Sequence, residues 1–250
     1  MPVPSLSIFF PAYNDAHSIP SLVRKTFSVL ADRAIDFEVI VVNDGSQDET
    51  GAVLRRLAAE YGPRMRIVEH PVNRGYGAAL RSGFAAATKE LVFYTDGDGQ
   101  YDVGELPLLF EKLAPGVGLV NGYKLERHDP WHRICIGSIY NRFARLLFGI
   151  RLRDIDCDFR LIRRELLQEL GLESDTGTIC VELVRKIELS PWKVVEVGVH
   201  HYHRQHGRSQ FFRLRSLLST LHQLLALYCE LVLPPLPWIG RRKPCERILE

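Results

Sequence analysis

The sequence predicts an α/β fold, a Rossmann-like and mostly parallel sheet flanked by helices, and three observations carry that prediction. Strand-length apolar runs such as "LSIFF", "FEVIVVND" and "LVFYTD" show little alternation, as expected when both faces of a strand are buried. Segments with helical spacing follow them in turn, giving the βαβαβαβα order of a doubly wound sheet. The polar loops "PAYND", "NDGSQD", "NRGYG" and "TDGDGQYD" each follow a strand, on the rim where open α/β sheets bind ligands.

Taken in order, "LSIFF" is a strand and "SIPSLVRKTFSVLADR" a helix, with Ser18 as its N-cap and Pro20 in its first turn. "FEVIVVND" is a strand and "SQDETGAVLRRLAAEYG" a helix that opens on acidic residues. "MRIVEH" leads into the helix "YGAALRSGFAAATK", and "LVFYTD" into the helix "VGELPLLFEKL". Beyond these, "GLVNGYK" reads as a strand and "RICIGSIYNRFARLLFG" as a helix. "DIDCDFRLIRRELLQEL" reads as a polar turn entering a helix near Arg160, with Asp154 and Asp156 able to cap it. "TICVELVRKIEL" is a short helix and "KVVEVGVHHYHR" a strand. In the last helix, Leu214, Leu217, Leu218, Leu221, Leu225 and Tyr228 form an apolar stripe, with Arg213 and Arg215 beside it.

Composition is that of an ordinary globular chain, 46% hydrophobic and 25% charged. A formal net charge of +2 argues against nucleic acid as the main partner. The five cysteines are odd in number, widely spaced and without a CxxC pair, which points to a reducing compartment and away from a disulfide framework or a zinc site. Four histidines in "HHYHRQH" lack the partners a zinc site needs. The N-terminus does not read as a signal peptide, and no apolar run reaches the about 20 residues of a membrane span.

Asp96 and Asp98 flank one glycine at a strand end, where two carboxylates can approach one divalent cation. Mg2+ and Mn2+ prefer such oxygen ligands and keep places for phosphates. Gln100 can add an amide oxygen, while Asp102 fits an N-cap of the next helix. Asp44, at the end of a buried strand, can accept hydrogen bonds from a base or ribose. Ser46 or Asp48 can cap the helix that follows. "NRGYGAALRSG" is not a dinucleotide fingerprint, because its glycines are spaced G-x-G-x5-G and follow the third strand. Gly75 and Gly77 either admit a ligand close to the backbone or make a tight turn.

Together, "FFPAYNDAHSI", "VVNDGSQDET", "NRGYGAALRSGFAAA" and "YTDGDGQYD", in this order, resemble the family 2 glycosyltransferases of GT-A fold. The dolichol-phosphate mannosyltransferase-like, or polyprenyl-phosphate glycosyltransferase, subgroup is the nearest, and "DIDCDFRLIRR" and "EVGVHHYHRQHGRSQFF" resemble it too. The resemblance runs from Leu6 to Phe212. It implies a GT-A domain over residues 1–212, with its donor half ending near 123, and a C-terminal amphipathic helix and basic tail over 213–250. It further implies that Pro11, Ala12, Tyr13, Asn14 and Asp15, with Asp44, hold the nucleoside of a GDP- or UDP-linked sugar donor. Asp96, Asp98 and Gln100 then hold Mg2+ or Mn2+ and the diphosphate. Lys124, Arg133 and Ser138 meet an acceptor phosphate, and Arg204 and Ser209 lie on a segment that closes over the donor. Two departures stand out: Asp15 replaces a usual glutamate, and Asn43 the first of two aspartates.

The activity implied is inverting transfer of a hexose to a polyprenyl or dolichyl phosphate by a protein peripheral on the cytoplasmic membrane face, alone or as a homo-oligomer. An ionised phosphate acceptor needs positioning cations rather than a base. A glycan or soluble hydroxyl acceptor needs a carboxylate, for which Asp156 and Asp158 are the candidates. A non-catalytic nucleotide-sugar-binding protein is the alternative from another class, disfavoured by the intact Asp96 and Asp98 pair.

Overall fold

The computed structural model describes residues 4–31, 33, 35–126, 131–203 and 214–232. Its strands are β1 (Leu6–Ala12), β2 (Phe37–Asp44), β3 (Met65–His70), β4 (Leu91–Thr95), β5 (Val117–Lys124), β6 (Phe159–Arg163) and β7 (Lys193–Val199). The helices are α1 (Ile19–Ala31), α2 (Thr50–Tyr61), α3 (Tyr76–Ala86), α4 (Leu106–Phe110), α5 (Trp131–Phe148), α6 (Arg164–Leu170), α7 (Ile179–Leu189) and α8 (Leu214–Leu231). Among the described residues the sheet has seven strands in the order β3-β2-β1-β4-β6-β5-β7. All neighbours pair in parallel except β6, which runs antiparallel to both β4 and β5.

The mostly parallel α/β sheet is the one expected, and β1 to β4 with α1 to α3 fall where the apolar runs place them. The chain order changes direction between β1 and β4, which makes their carboxyl ends the switch point at which open α/β sheets bind ligands. Side-chain alternation distributes the core: Leu6, Ile8 and Phe10 of β1 pack with α1 and α2, whereas Phe9 faces α3 and stacks on Tyr94 at 5.3 Å between ring centroids. Each such fully buried side chain contributes about 1.5–3 kcal/mol relative to exposure.

At the opposite end of the sheet, Glu38 accepts hydrogen bonds from Ser7 Oγ (2.7 Å), Thr88 N (2.8 Å) and the Arg66 guanidinium (2.6 Å). Burial pushes its carboxyl up, but the hydrogen bonds from Ser7, Thr88 and Arg66 outweigh burial and hold it below the ordinary value of 4.5.

Three sequence expectations change. Residues 159–163 form a strand, so Arg160 lies inside β6 and the following helix begins at Arg164; Asp154 and Asp156 cap nothing there. The segment after the fourth strand is a single 3-10 turn at Val103–Glu105 followed by the five-residue α4, with Pro107 in its first turn, where a missing N–H is tolerated. The strand β7 ends at Val199, and among the described residues Tyr101 and His201 form a single isolated bridge beyond it.

The described part of α8 packs on the same core. Leu224 and Leu227 are buried, and Tyr228 meets Phe148 of α5 edge-on at 5.9 Å. Leu225, assigned to the apolar stripe, is instead exposed. The side chains of Leu214, Leu217, Leu218 and Leu221, and Arg213, lie outside the described residues.

Candidate functional site

All four polar loops at the carboxyl rim are tied to one another by hydrogen bonds. After β1, Asn14 adopts a left-handed backbone (φ 58°), a conformation that asparagine tolerates better than most residues. That turn aims its amides at the neighbouring loop. Asn14 N donates to Ser46 Oγ (3.0 Å), Asp15 N to Thr50 Oγ1 (2.9 Å), and Gln47 N to Asn14 Oδ1 (2.8 Å). Tyr13 N donates to Asp15 Oδ2 (3.0 Å). Ser46 therefore braces the β1 loop rather than capping α2, and Asp48 accepts from Thr50 N at 2.9 Å just before that helix. On the other side, Gly97 N donates to the Pro11 carbonyl at 3.2 Å, and Ser18 Oγ to the Gly97 carbonyl at 2.7 Å. A Cβ at Gly97 would stand 2.7 Å from the Pro11 oxygen, so only glycine lets the β4 loop close on β1.

The Asp44 carboxylate is engaged within the protein. It is buried, and it accepts from Arg74 N (2.9 Å), Gly75 N (3.0 Å) and His70 Nδ1 (2.6 Å). It anchors the β3–α3 loop, so three protein donors occupy the carboxylate expected to meet a base or ribose. Gly75 and Gly77 likewise meet protein. Gly75 has φ 96°, and a Cβ there would lie 2.5 Å from the Asp175 carbonyl oxygen. Gly77 N donates to that same oxygen at 2.9 Å. The turn reading of these glycines holds at Gly75; the close approach is to the backbone of residues 174–176.

At the end of β4, Asp96 and Asp98 are both half-buried. Tyr76 Oη donates to Asp96 Oδ1 at 2.7 Å, and Asp98 Oδ1 accepts from Gln100 N at 3.1 Å. Gln100 Nε2 donates to the Tyr202 carbonyl (3.0 Å), which turns this side chain toward the chain after β7. Asp102 accepts from Gly104 N at 2.6 Å, the N-cap role expected of it, and Lys25 Nζ lies 2.6 Å from the same oxygen. No group of three or more His, Cys, Asp or Glu side chains is arranged around a common point among the described residues. An all-protein cation cage is thus not built here. Two oriented carboxylates fit Mg2+ or Mn2+, which takes one or two protein carboxylates and completes its shell with phosphate oxygens and water.

Lys124 ends β5. Its Nζ donates to the Asp156 carbonyl (2.9 Å) and lies 3.9 Å from Asp154 Oδ2. Asp154 also accepts from Asn141 Nδ2 of α5 at 2.9 Å. Burial pushes the Asp156 carboxyl up to about 7, with Lys124 opposing that shift and Asp154 and Asp158 adding to it. Asp158 is fixed differently. Its Oδ1 lies 3.3 Å from the guanidinium of Arg160, which is fully buried mid-sheet, and 3.3 Å from both Tyr94 Oη and Cys180 Sγ. Arg160 also bonds Asn121 Oδ1 at 2.7 Å, Tyr94 Oη and the Ile155 carbonyl. Asp158, one of the two carboxylates expected to serve a hydroxyl acceptor, is thus the counter-ion of a buried arginine.

Ser138 is exposed on α5, Arg133 lies in the first turn of that helix with its side chain outside the described residues, and Arg204 and Ser209 lie outside them altogether. The residues missed from sequence are Tyr76 and Arg160. Tyr76 stands inside a motif notable for its glycines, and Arg160 in a run whose charges resemble a solvated helix.

A cavity of about 650 Å³ flanks the rim between α2 and the ends of β2 and β3, lined by Asn43, Ser46, Asp48, Arg55, Glu69 and Asn73 among others. No helix among the described residues is long and apolar enough to cross a membrane.

The chain is similar to known proteins in sequence and fold. It is 30% identical over 222 residues to the undecaprenyl-phosphate 4-deoxy-4-formamido-L-arabinose transferase of Enterobacter sp. (strain 638), covering 88% of this chain and 66% of that protein. Among solved structures, glucosyl-3-phosphoglycerate synthase from Mycobacterium tuberculosis in complex with Mn2+, uridine diphosphate and glucosyl-3-phosphoglycerate superposes with a TM-score of 0.67 at 22% identity, over 92% of this chain and 81% of that one. The same enzyme with Mn2+, uridine diphosphate and phosphoglyceric acid gives 0.68, over 92% and 80%. These likenesses show the GT-A fold. Residues 7–171 match the family described as glycosyl transferase family 2, and the chain belongs to that family.

Proposed function

We propose that this protein is an inverting glycosyltransferase that moves a sugar, a hexose or a close relative of one, from a nucleoside diphosphate to a polyprenyl phosphate at a membrane surface. The observation that carries the donor half is the oriented Asp96 and Asp98 pair, on a rim whose β1 loop is tied to it through Pro11 and Gly97. Asp96 and Asp98 would hold Mn2+ or Mg2+, which would supply positive charge against a departing diphosphate. The synthase that shares the fold was crystallised with Mn2+ and uridine diphosphate, which supports a divalent cation and a UDP-linked donor. The nucleoside takes the cavity beside Asn43 and Arg55.

The acceptor half rests on α5. Ile136, Ile139, Phe143 and Leu146 recur at spacings of three and four, and are 47%, 69%, 51% and 77% exposed. Arg142, also exposed, stands beside them. An apolar helical face with a cation at its margin suits the interface of an anionic bilayer, where a polyprenyl phosphate presents its headgroup. The relative named for an undecaprenyl-phosphate substrate supports this acceptor, and a dolichyl-phosphate mannosyl specificity is the finer variant of the same reading. The acceptor phosphate is ionised at neutral pH and attacks without a base, so the chain's task is placement. Lys124, held by Asp154 and the Asp156 carbonyl at the end of β5, is the cation that meets it.

One observation favours a second reading. The Asp156 carboxyl, raised to about 7, matches the base that a hydroxyl acceptor requires. The test offers a radiolabelled nucleotide-sugar donor with Mn2+ to polyprenyl phosphate in vesicles and, separately, to soluble glycans. Label in the lipid fraction supports the first reading. Transfer to glycan alone, abolished by Asp156→Asn, replaces it with the second.

A further inference from the structure

We infer that Tyr76 is a positioning residue that sets the Asp96 carboxylate for the divalent cation, an inference that rests on the metal site at Asp96 and Asp98. Its hydroxyl donates to Asp96 Oδ1 at 2.7 Å from the first residue of α3. The geometry is over-determined from the tyrosine's own side. Gly75 N, just before it, is held by Asp44 Oδ2 at 3.0 Å, and Gly77 N, just after it, by the Asp175 carbonyl at 2.9 Å. Neither glycine accepts a Cβ, because both lie against the backbone of residues 174–176. The helix closes behind it with Ala79 N bonded to the Gly75 carbonyl at 3.0 Å. Three separate segments thus converge to point one phenol at one carboxylate oxygen: the end of β2, the loop before α7, and the start of α3.

Such a donor does two things for a cation ligand. It removes rotational freedom from the carboxylate, and it directs the cation to one side of it by engaging Oδ1. Asp98 receives the equivalent service from a local backbone amide, Gln100 N at 3.1 Å. Asp96 takes it from a side chain 20 positions away in sequence. The cation site is therefore coupled to the packing of α3 and of the 174–176 backbone, and Tyr76 carries that coupling through its hydroxyl.

The experiment measures Mn2+ binding by electron paramagnetic resonance, with Mn2+ alone and with Mn2+ plus UDP, for the full chain, Tyr76→Phe and Asp98→Ala. Metal-free melting temperatures are recorded alongside. Tyr76→Phe is expected to bind Mn2+ about 10-fold more weakly, the size typical of losing a partner of a metal ligand, with its metal-free melting temperature unchanged and its Mn2+ spectrum altered. Equal affinity in Tyr76→Phe and wild type overturns the inference. A metal-free Tyr76→Phe that is destabilised in proportion also overturns it, by assigning the hydroxyl to folding. Absence of Mn2+ binding in the wild type, or unchanged binding in Asp98→Ala, overturns the metal-site reading itself.

Discussion

The Gly75 backbone N–H donates to Asp44 Oδ2 at 3.0 Å, while Arg74 N donates to the other oxygen of the same carboxylate. Asp44→Asn places an amide N–H₂ where two N–H groups and a histidine converge. Its expected cost is about 2–4 kcal/mol, from unsatisfied buried donors and a lost charge-assisted bond. Urea denaturation checks this. A variant of wild-type stability with a raised donor KM would instead restore a direct contact between Asp44 and the nucleoside.

Asp98→Ala tests the cation pair at a half-buried position, where the described hydrogen bond it removes is local, to Gln100 N. Metal-dependent donor turnover is expected to fall by at least about 100-fold, on the scale of losing several kcal/mol of charge stabilisation. The metal-free melting temperature should stay within about 2 °C of wild type.

The α5 face makes a separable prediction. Ile139→Glu combined with Leu146→Glu changes two exposed positions that no core contact needs. Losing the insertion of two apolar side chains, each worth up to about 1.5–3 kcal/mol, should weaken binding to anionic vesicles by about 10-fold or more. Sedimentation with vesicles measures it. Mn2+-dependent hydrolysis of the donor in solution should persist.

Asp156 titrates in the folded protein near 7, against an ordinary value of 3.8. The native state therefore keeps a proton that the unfolded chain releases across that window, and stability falls as pH rises through it. Asp156→Asn removes this slope. Relative to wild type, the variant should gain stability between about pH 4 and pH 7.5, by a few degrees in melting temperature.

Glu38 has the opposite sign. Its native carboxyl lies below 4.5, so its contribution is complete above that pH and is lost as pH falls through the native value. Glu38→Gln is expected to cost about 2–3 kcal/mol at pH 7, leaving Arg66 without its charge partner. The difference from wild type should shrink in acid, as followed by denaturation from pH 7 to pH 3.

The first half of the fold was legible in the linear chain because its signals are local. Continuous apolar runs mark β1, β2 and β4, each polar loop sits directly after its strand, and Asp96 and Asp98 are adjacent enough to be read as a pair. The second half was less so. The string "DFRLIRR" contains charges at a density that suits a surface helix, yet it forms the antiparallel strand β6. What makes that possible is Arg160, whose charge is matched mid-sheet by Asp158, Tyr94 and Asn121, up to 66 positions distant.

Residue roles divided along the same line. Sequence placed Asp44, Gly75 and Gly77 at the right rim but could not say whether they faced a ligand or the chain, because that depends on the 174–176 backbone that reaches them only after folding. The sequence likewise showed only an apolar stripe on α8; Leu224 and Leu227, buried, and Tyr228 against Phe148 of α5 seat the described part of that helix on the domain. By itself, then, the sequence determined the α/β order, the rim and the two-aspartate pair, since hydrophobic period and strand-end position are properties of consecutive residues. Only the tertiary structure decided the antiparallel strand, the buried arginine and the tyrosine that holds Asp96, since each exists through a hydrogen bond between segments far apart in the chain.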